Sequence, residues 1–249
     1  TALTQSSGDI LLNGKKRFVI DGQSADLFVV AAQSGHGIGL FVVDGRPNGM
    51  TVEALDTMDP THKMAHIDFV NVPAIALTQL PNHWLETLLN IACITLSAEM
   101  IGGAQRLLDS AVEYTQLRYQ FGRSIASFQA IKHRLADLLL EVELARSAAY
   151  QAIETLANCA NLQRLTARQI RQLTEHASLA KAAVSDTYLQ AALETIQLHG
   201  GIGFTWENDT HLWFKRAKSS EVLFGTPAEH RERMLTAVEA GLNAQEDAA

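Results

Sequence analysis

The sequence predicts an α+β protein in which an antiparallel β-rich domain is followed by an antiparallel helical bundle. Two observations predict it. Near residue 80 the chain changes from short apolar runs punctuated by Gly, Pro and Asp to long stretches free of proline between Pro81 and Pro227. The spacing of apolar residues changes with it, from short runs to steps of three and four. The expected limits are 1–80 for a barrel-like β domain, 81–241 for the bundle and 242–249 for a tail.

In the first part, Phe18-Val19-Ile20 is followed by the turn signal Asp21-Gly22. Leu27 to Ala32 is followed by Ser34-Gly35-His36-Gly37, and Gly39 to Val43 by Asp44-Gly45-Arg46-Pro47. These read as short strands with tight turns. His66 to Val72 reads as a further strand stopped by Pro73. In the second part, a helix is expected from about Leu80 to Tyr119. Ile131, Leu135, Leu138, Val142, Ala145 and Ala149 form one face of another, with Lys132, Asp137, Glu141 and Arg146 on other faces. A third is expected from about Thr166 to His199, stopped by Gly200-Gly201. A last helix starts at Pro227, with Thr226 as its N-cap.

Composition narrows the function classes. The 249 residues are 47% hydrophobic and 19% charged, enough for a sizeable core, and the net charge is −7. That balance offers no electrostatic footprint for nucleic acid or an anionic membrane. A phosphate-bearing ligand has to be held locally, by one or two Arg or by backbone N–H groups. Cys93 and Cys159 lie in apolar helical stretches and read as buried free thiols. No apolar run approaches the ~18 residues of a membrane span, so no transmembrane helix is expected. The first residues lack a signal-peptide pattern, and a cytoplasmic location is expected. His62, His66, His133, His176, His199, His211 and His230 show no metal-ligand spacing.

Two short stretches carry chemistry. Arg118-Tyr119-Gln120-Phe121-Gly122-Arg123 sits where one long helix ends and the next begins. An Arg there opposes the helix dipole, and its guanidinium also suits a pyrophosphate. In Gln197-Leu198-His199-Gly200-Gly201-Ile202-Gly203-Phe204, three glycines in four positions let backbone N–H groups approach a ligand. The spacing is not the dinucleotide-fold fingerprint, and no strand precedes it.

In this order, Arg-x-x-Phe-Gly, then Phe128-Gln129-Ala130-Ile131-Lys132-His133-Arg134-Leu135-Ala136-Asp137, then Gln197-x-x-Gly-Gly-x-Gly-Phe204 resembles the acyl-CoA dehydrogenases. Trp213-Phe214-Lys215-Arg216-Ala217, followed by Gly225-Thr226, extends the resemblance. Leu12-Asn13-Gly14-Lys15-Lys16 and Phe18-Val19-Ile20-Asp21-Gly22 look like the family's middle β domain. The family's N-terminal helical domain has no counterpart in these residues.

The resemblance implies FAD as cofactor, an acyl-CoA thioester as substrate and an electron-transfer flavoprotein as acceptor. In the family, part of each flavin site comes from a neighbouring subunit. Arg118, Gln120 and Phe121 match one neighbour-facing group, and Gln197, Gly200 and Gly201 match the other. Thr226 matches a cofactor-side position. The family's base is usually a Glu before a Gly-Thr pair, where this sequence has Phe224. Some members carry it on the first long helix, at the position of Ala92, often followed by an Arg where Cys93 stands. The flavin-facing Trp-Ile-Thr becomes Phe18-Val19-Ile20, and Ala228 replaces a frequent Gln. Three other carboxylates lie near: Glu221 three residues before Phe224, Glu99 about two turns after Ala92, and Glu86 nearly two turns before it.

Three readings follow. The first is a non-catalytic subunit that lends half of a FAD site to a second acyl-CoA dehydrogenase chain in a heterotetramer, as in bacterial members acting on steroid side-chain thioesters. The second is an active homotetrameric enzyme with Glu221 as a displaced base. The third is a flavin-free scaffold.

Overall fold

The computed structural model describes residues 2–4 and 9–246, and it divides into two compact units, 1–82 and 83–249. The first unit is an antiparallel sheet of β1 (Ala2–Thr4), β2 (Ile10–Ile20), β3 (Leu27–Ser34), β4 (Gly37–Asp44), β5 (Met50–Leu55) and β6 (Met64–Ala76), in the order β1-β2-β6-β4-β3, with β5 also paired to β6. Alternation along β3 and β4 buries Phe28, Val30, Ala32, Phe41 and Val43 against Leu12, Ile67, Phe69 and Val72. Strand β5, with its exposed Thr51, Glu53 and Ala54, was not anticipated.

Pro73 does not stop the last strand. It pairs with Leu11 inside β6. The pairing of β6 with β5 reaches only to Phe69, and its pairing with β4 begins only at Ile75. Pro73 falls in the gap, where its missing N–H interrupts no second ladder. Strand β2 changes register twice, at Gly14 (φ 138°) and between Lys16 and Val19, where Phe18 has φ 54°. The second bulge turns the Phe18 ring outward, 64% exposed, against His66.

The second unit consists of α1 (Trp84–Leu117), the hairpin β7 (Tyr119–Gln120) and β8 (Arg123–Ser124), α2 (Gln129–Ala157), α3 (Ala167–His199), α4 (Thr210–Val222) and α5 (Pro227–Glu246). Helix α1 starts four residues later than expected, because Pro81 disfavours helical geometry at Leu80 and Gln79 already has φ 64°. By length and composition α1 could cross a membrane, contrary to the expectation from uninterrupted runs. Half of its most apolar window is buried within the protein. Thr166 and Gln169 form a capping box at the start of α3. Gly241 lies within α5, which continues to Glu246, while 247–249 lie outside the described residues. Cys93 is buried. Cys159 follows the end of α2 and is only half-buried, correcting the expectation for that residue.

Helix α3 is the centre of the bundle and packs on α1, α2, α4 and α5. It packs tightly on α1 at Gly103, where a Cβ would stand 2.7 Å from the Tyr188 ring. Leu138, Val142, Ala145 and Ala149 of α2 are buried in the same core, with Leu135 packed beside them.

Candidate functional site

The ends of α1 and α3 meet. Tyr114 stacks on His199 with ring centroids 4.1 Å apart and planes 20° from parallel. The Tyr114 hydroxyl donates to the His199 carbonyl at 3.3 Å. His199 is buried, and its Nδ1 lies 2.8 Å from the Thr195 carbonyl. One ring pair therefore brings together the two glycine-containing turns, which are far apart in sequence.

After α1, Arg118 leaves the helix and the chain reverses through β7 and β8. Gln120 is paired with Arg123, and Phe121 (φ 54°) and Gly122 (φ 76°) form the two-residue turn. Positive φ at both positions is the type I′ arrangement, which is uncommon for a bulky residue such as Phe. Phe121 gains little from it within this chain, being 90% exposed, with its ring T-shaped to that of Phe128 at 6.2 Å between centroids. Arg118 and Gln120 are exposed as well.

At the end of α3, Gln197, Gly200 and Gly201 are exposed. Gly200 has φ 67°, which explains a glycine there. Gly203 is explained by packing, because a Cβ would press on the Ile196 carbonyl at 3.0 Å. Gly201 has neither reason: a Cβ would meet nothing within 4 Å. Phe204 and Trp206 beyond it are also exposed, with Lys215 Nζ 4.6 Å over the Trp206 ring. Trp206 is not among the site residues expected from the sequence, although an aromatic just after a glycine turn is an available signal. This end of the bundle thus exposes a guanidinium, carboxamides, an aromatic ring on a strained turn and bare backbone. That set can hold a planar, anionic ligand.

The two positions expected for a base are linked elsewhere in the bundle. Phe224 has φ 60° and is 40% exposed. Its carbonyl lies 3.0 Å from Nε2 of His230, which lies 3.8 Å from Sγ of Cys93, the neighbour of Ala92. Neither Phe224 nor Ala92 can accept a proton. The three nearby carboxylates are engaged. Glu221 pairs with Lys218 at 2.5 Å, Glu99 with Arg216 at 2.8 Å, and Glu86 accepts from the Thr174 hydroxyl at 2.8 Å. Thr226 caps α5: its N–H and hydroxyl donate to Glu229 at 2.7 and 2.9 Å. Those bonds hold the Glu229 carboxyl below its ordinary pKa.

Lys181, for which the sequence carries no local signal, lies in the buried stripe of α3 with Ala177, Val184 and Tyr188. Its ammonium donates to the Ser185 hydroxyl at 3.0 Å and to the carbonyls of Glu221 at 3.0 Å and Gly225 at 3.1 Å. Burial pulls its pKa down, and it pulls down that of His230 as well. Burial pushes the Cys93 thiol up, so it is not poised as a nucleophile.

Comparison with known proteins accords with this layout. A family model described as acyl-CoA dehydrogenase, C-terminal domain, matches residues 83–239. The chain is similar to the acyl-CoA dehydrogenase IpdE2 of Mycobacterium tuberculosis, 36% identical over 234 residues, covering 94% of this chain and 64% of that protein. Its fold resembles a variant of the Tcur3481-Tcur3483 steroid ACAD, at 27% identity and TM-score 0.84, over 97% of this chain and 63% of that one. It also resembles the ChsE4-ChsE5 complex from Mycobacterium tuberculosis, at 25% identity and TM-score 0.81, over 94% of this chain and 61% of that one. In each case the chain spans less than two thirds of its relative's length. From the matched bundle and the full-length likeness of both units, the chain belongs to the acyl-CoA dehydrogenase family.

Proposed function

We propose that this chain is the non-catalytic subunit of a cytoplasmic, hetero-oligomeric acyl-CoA dehydrogenase, and that it contributes half of a FAD site to a second, catalytic chain. One contrast carries the reading. The surface formed by Arg118, Gln120, Phe121, Gln197, Gly200 and Gly201 is exposed and includes a glycine that nothing inside the chain requires. The positions of the base hold a phenyl ring and a methyl group, and Glu221 is paired with Lys218.

The exposed set fits FAD. Arg118 would meet the pyrophosphate, Phe121 an aromatic face, and Gln197 with Gly200 and Gly201 the pyrophosphate and adenosine. FAD supplies a hydride acceptor, and an electron-transfer flavoprotein would take the electrons onward. Thr226, whose N–H and hydroxyl both donate to Glu229, would meet the cofactor by redirecting that hydroxyl. The likeness to a steroid ACAD and to a two-component complex supports a bulky steroid-type thioester as substrate and a related chain as partner.

Co-expression tests this. Produced alone, the gene product should be colourless and inactive. Produced with the acyl-CoA dehydrogenase encoded beside it, it should copurify as a yellow complex that is bleached by acyl-CoA. A yellow, active homo-oligomer from this chain alone would overturn the reading.

A further inference from the structure

The turn between α4 and α5 is gripped from inside the bundle. Phe224 and Gly225 have consecutive positive φ values, 60° and 113°. This backbone can continue neither helix, and the N–H of Gly225 turns back to the carbonyl of Val222. Two side chains from different helices take carbonyls on either side of that bond. Lys181 of α3 donates to the carbonyls of Glu221 and Gly225. His230 of α5 takes the carbonyl between them, that of Phe224, with the proton on Nε2. The fit is close, because a Cβ on Gly225 would stand 3.0 Å from that same nitrogen.

Lys181 is fully buried, and all of its hydrogen bonds go to neutral oxygens. An ammonium in such a position is tolerated only when its donors are all engaged, and an apolar residue would suit the surrounding stripe better. The Nδ1 atom of His230 is buried with no hydrogen-bond partner among the described residues, a further local cost of this arrangement. While the carbonyl of Phe224 is drawn inward, the residue as a whole remains 40% exposed.

We propose that Lys181 and His230 are positioning residues that together hold the main chain of 221–225, so that the side chain at 224 is presented outward in a single conformation. Its relevance to the flavin reaction rests on the proposed function, which sets residue 224 at the place of the family's base. The clamp itself does not.

Fluorine NMR of the full-length gene product, with any subunit that copurifies, tests it. The phenylalanines are replaced by 4-fluorophenylalanine and the signal of Phe224 is assigned with Phe224→Leu. Wild type should give one narrow Phe224 line. Lys181→Met and His230→Leu should each shift and broaden that line while leaving that of Phe41, in the other unit, in place. His230→Gln, whose amide can still donate to the carbonyl, should restore it. An unchanged Phe224 line in both apolar variants overturns the proposal, as does a common shift of every line. Where an apolar variant fails to fold, Lys181→Arg and His230→Asn take its place. Each keeps a donor but changes its reach, and an unmoved Phe224 line again overturns the clamp. Neither flavin content nor activity enters the readout, so failure of the proposed function leaves this result to be judged separately.

Discussion

Tyr114 lies flat on His199, and its hydroxyl donates to the carbonyl of the same residue. The pair ties the last turn of α1 to the last turn of α3, immediately before the two exposed turns. Tyr114→Phe removes only the hydrogen bond and should cost about 0.5–1.5 kcal/mol. Tyr114→Leu also removes the stacking, adding roughly 0.5–1.5 kcal/mol. Urea unfolding measures both. Only the Leu variant should also weaken flavin retention in the two-chain complex, because only it frees the two turns from each other.

The glycines of the second turn separate packing from ligand contact. Gly203→Ala should destabilise by about 1–3 kcal/mol, because its Cβ would press on the Ile196 carbonyl. Gly201→Ala should change stability by no more than about 0.5 kcal/mol, since its Cβ would project into open space. In the complex the order should reverse, with Gly201→Ala losing more flavin on dialysis. Equal flavin retention in the two variants would remove Gly201 from the cofactor surface.

Some of this architecture was legible in the sequence. Thr166 with Gln169, Gly200, and Thr226 before Pro227 each carry a local backbone preference, and the structure uses them as helix boundaries. The stripe from Leu138 to Ala149 is buried as its period requires. What was not legible is non-local. Pro73 is compatible with β6 because the pairing with β5 stops at Phe69 and that with β4 starts at Ile75. Helix α4 is amphipathic only weakly and mixes aromatic and basic residues, so its period is blurred. The grip of Lys181 on Gly225 joins residues 44 positions apart, and nothing in a local window announces it.

Acid should weaken the bundle through His230. Burial is the main cause that lowers its pKa below the ordinary 6.5, and nearby Lys181 and Arg233 act in the same direction; the Phe224 carbonyl and Glu229 oppose them. Cys93 packs against the ring as well. Just below pH 6.5 the unfolded chain therefore takes up a proton that the folded chain refuses. Stability should fall as the pH drops from that point toward the folded pKa. Melting temperature against pH should show this loss in wild type and a flatter profile in His230→Gln. Parallel profiles would assign the acid sensitivity to other groups.

Glu221 should be dispensable for turnover. Its carboxylate is held by Lys218 at 2.5 Å. Glu221→Gln in the two-chain complex should leave kcat within about twofold, whereas loss of a general base lowers rates by about 10²–10⁴-fold. A loss of that size would make Glu221 the base and this chain catalytic.

Lys181 and His230 hold main-chain oxygens, atoms that every amino acid supplies. The turn they shape therefore asks little of the side chain at 224 beyond tolerance of its positive φ. A lineage built on such a turn can exchange the residue that acts on substrate without rebuilding the scaffold, in either direction. Duplicated genes could then divide one enzyme between two polypeptides by substitutions confined to a few outward-facing positions.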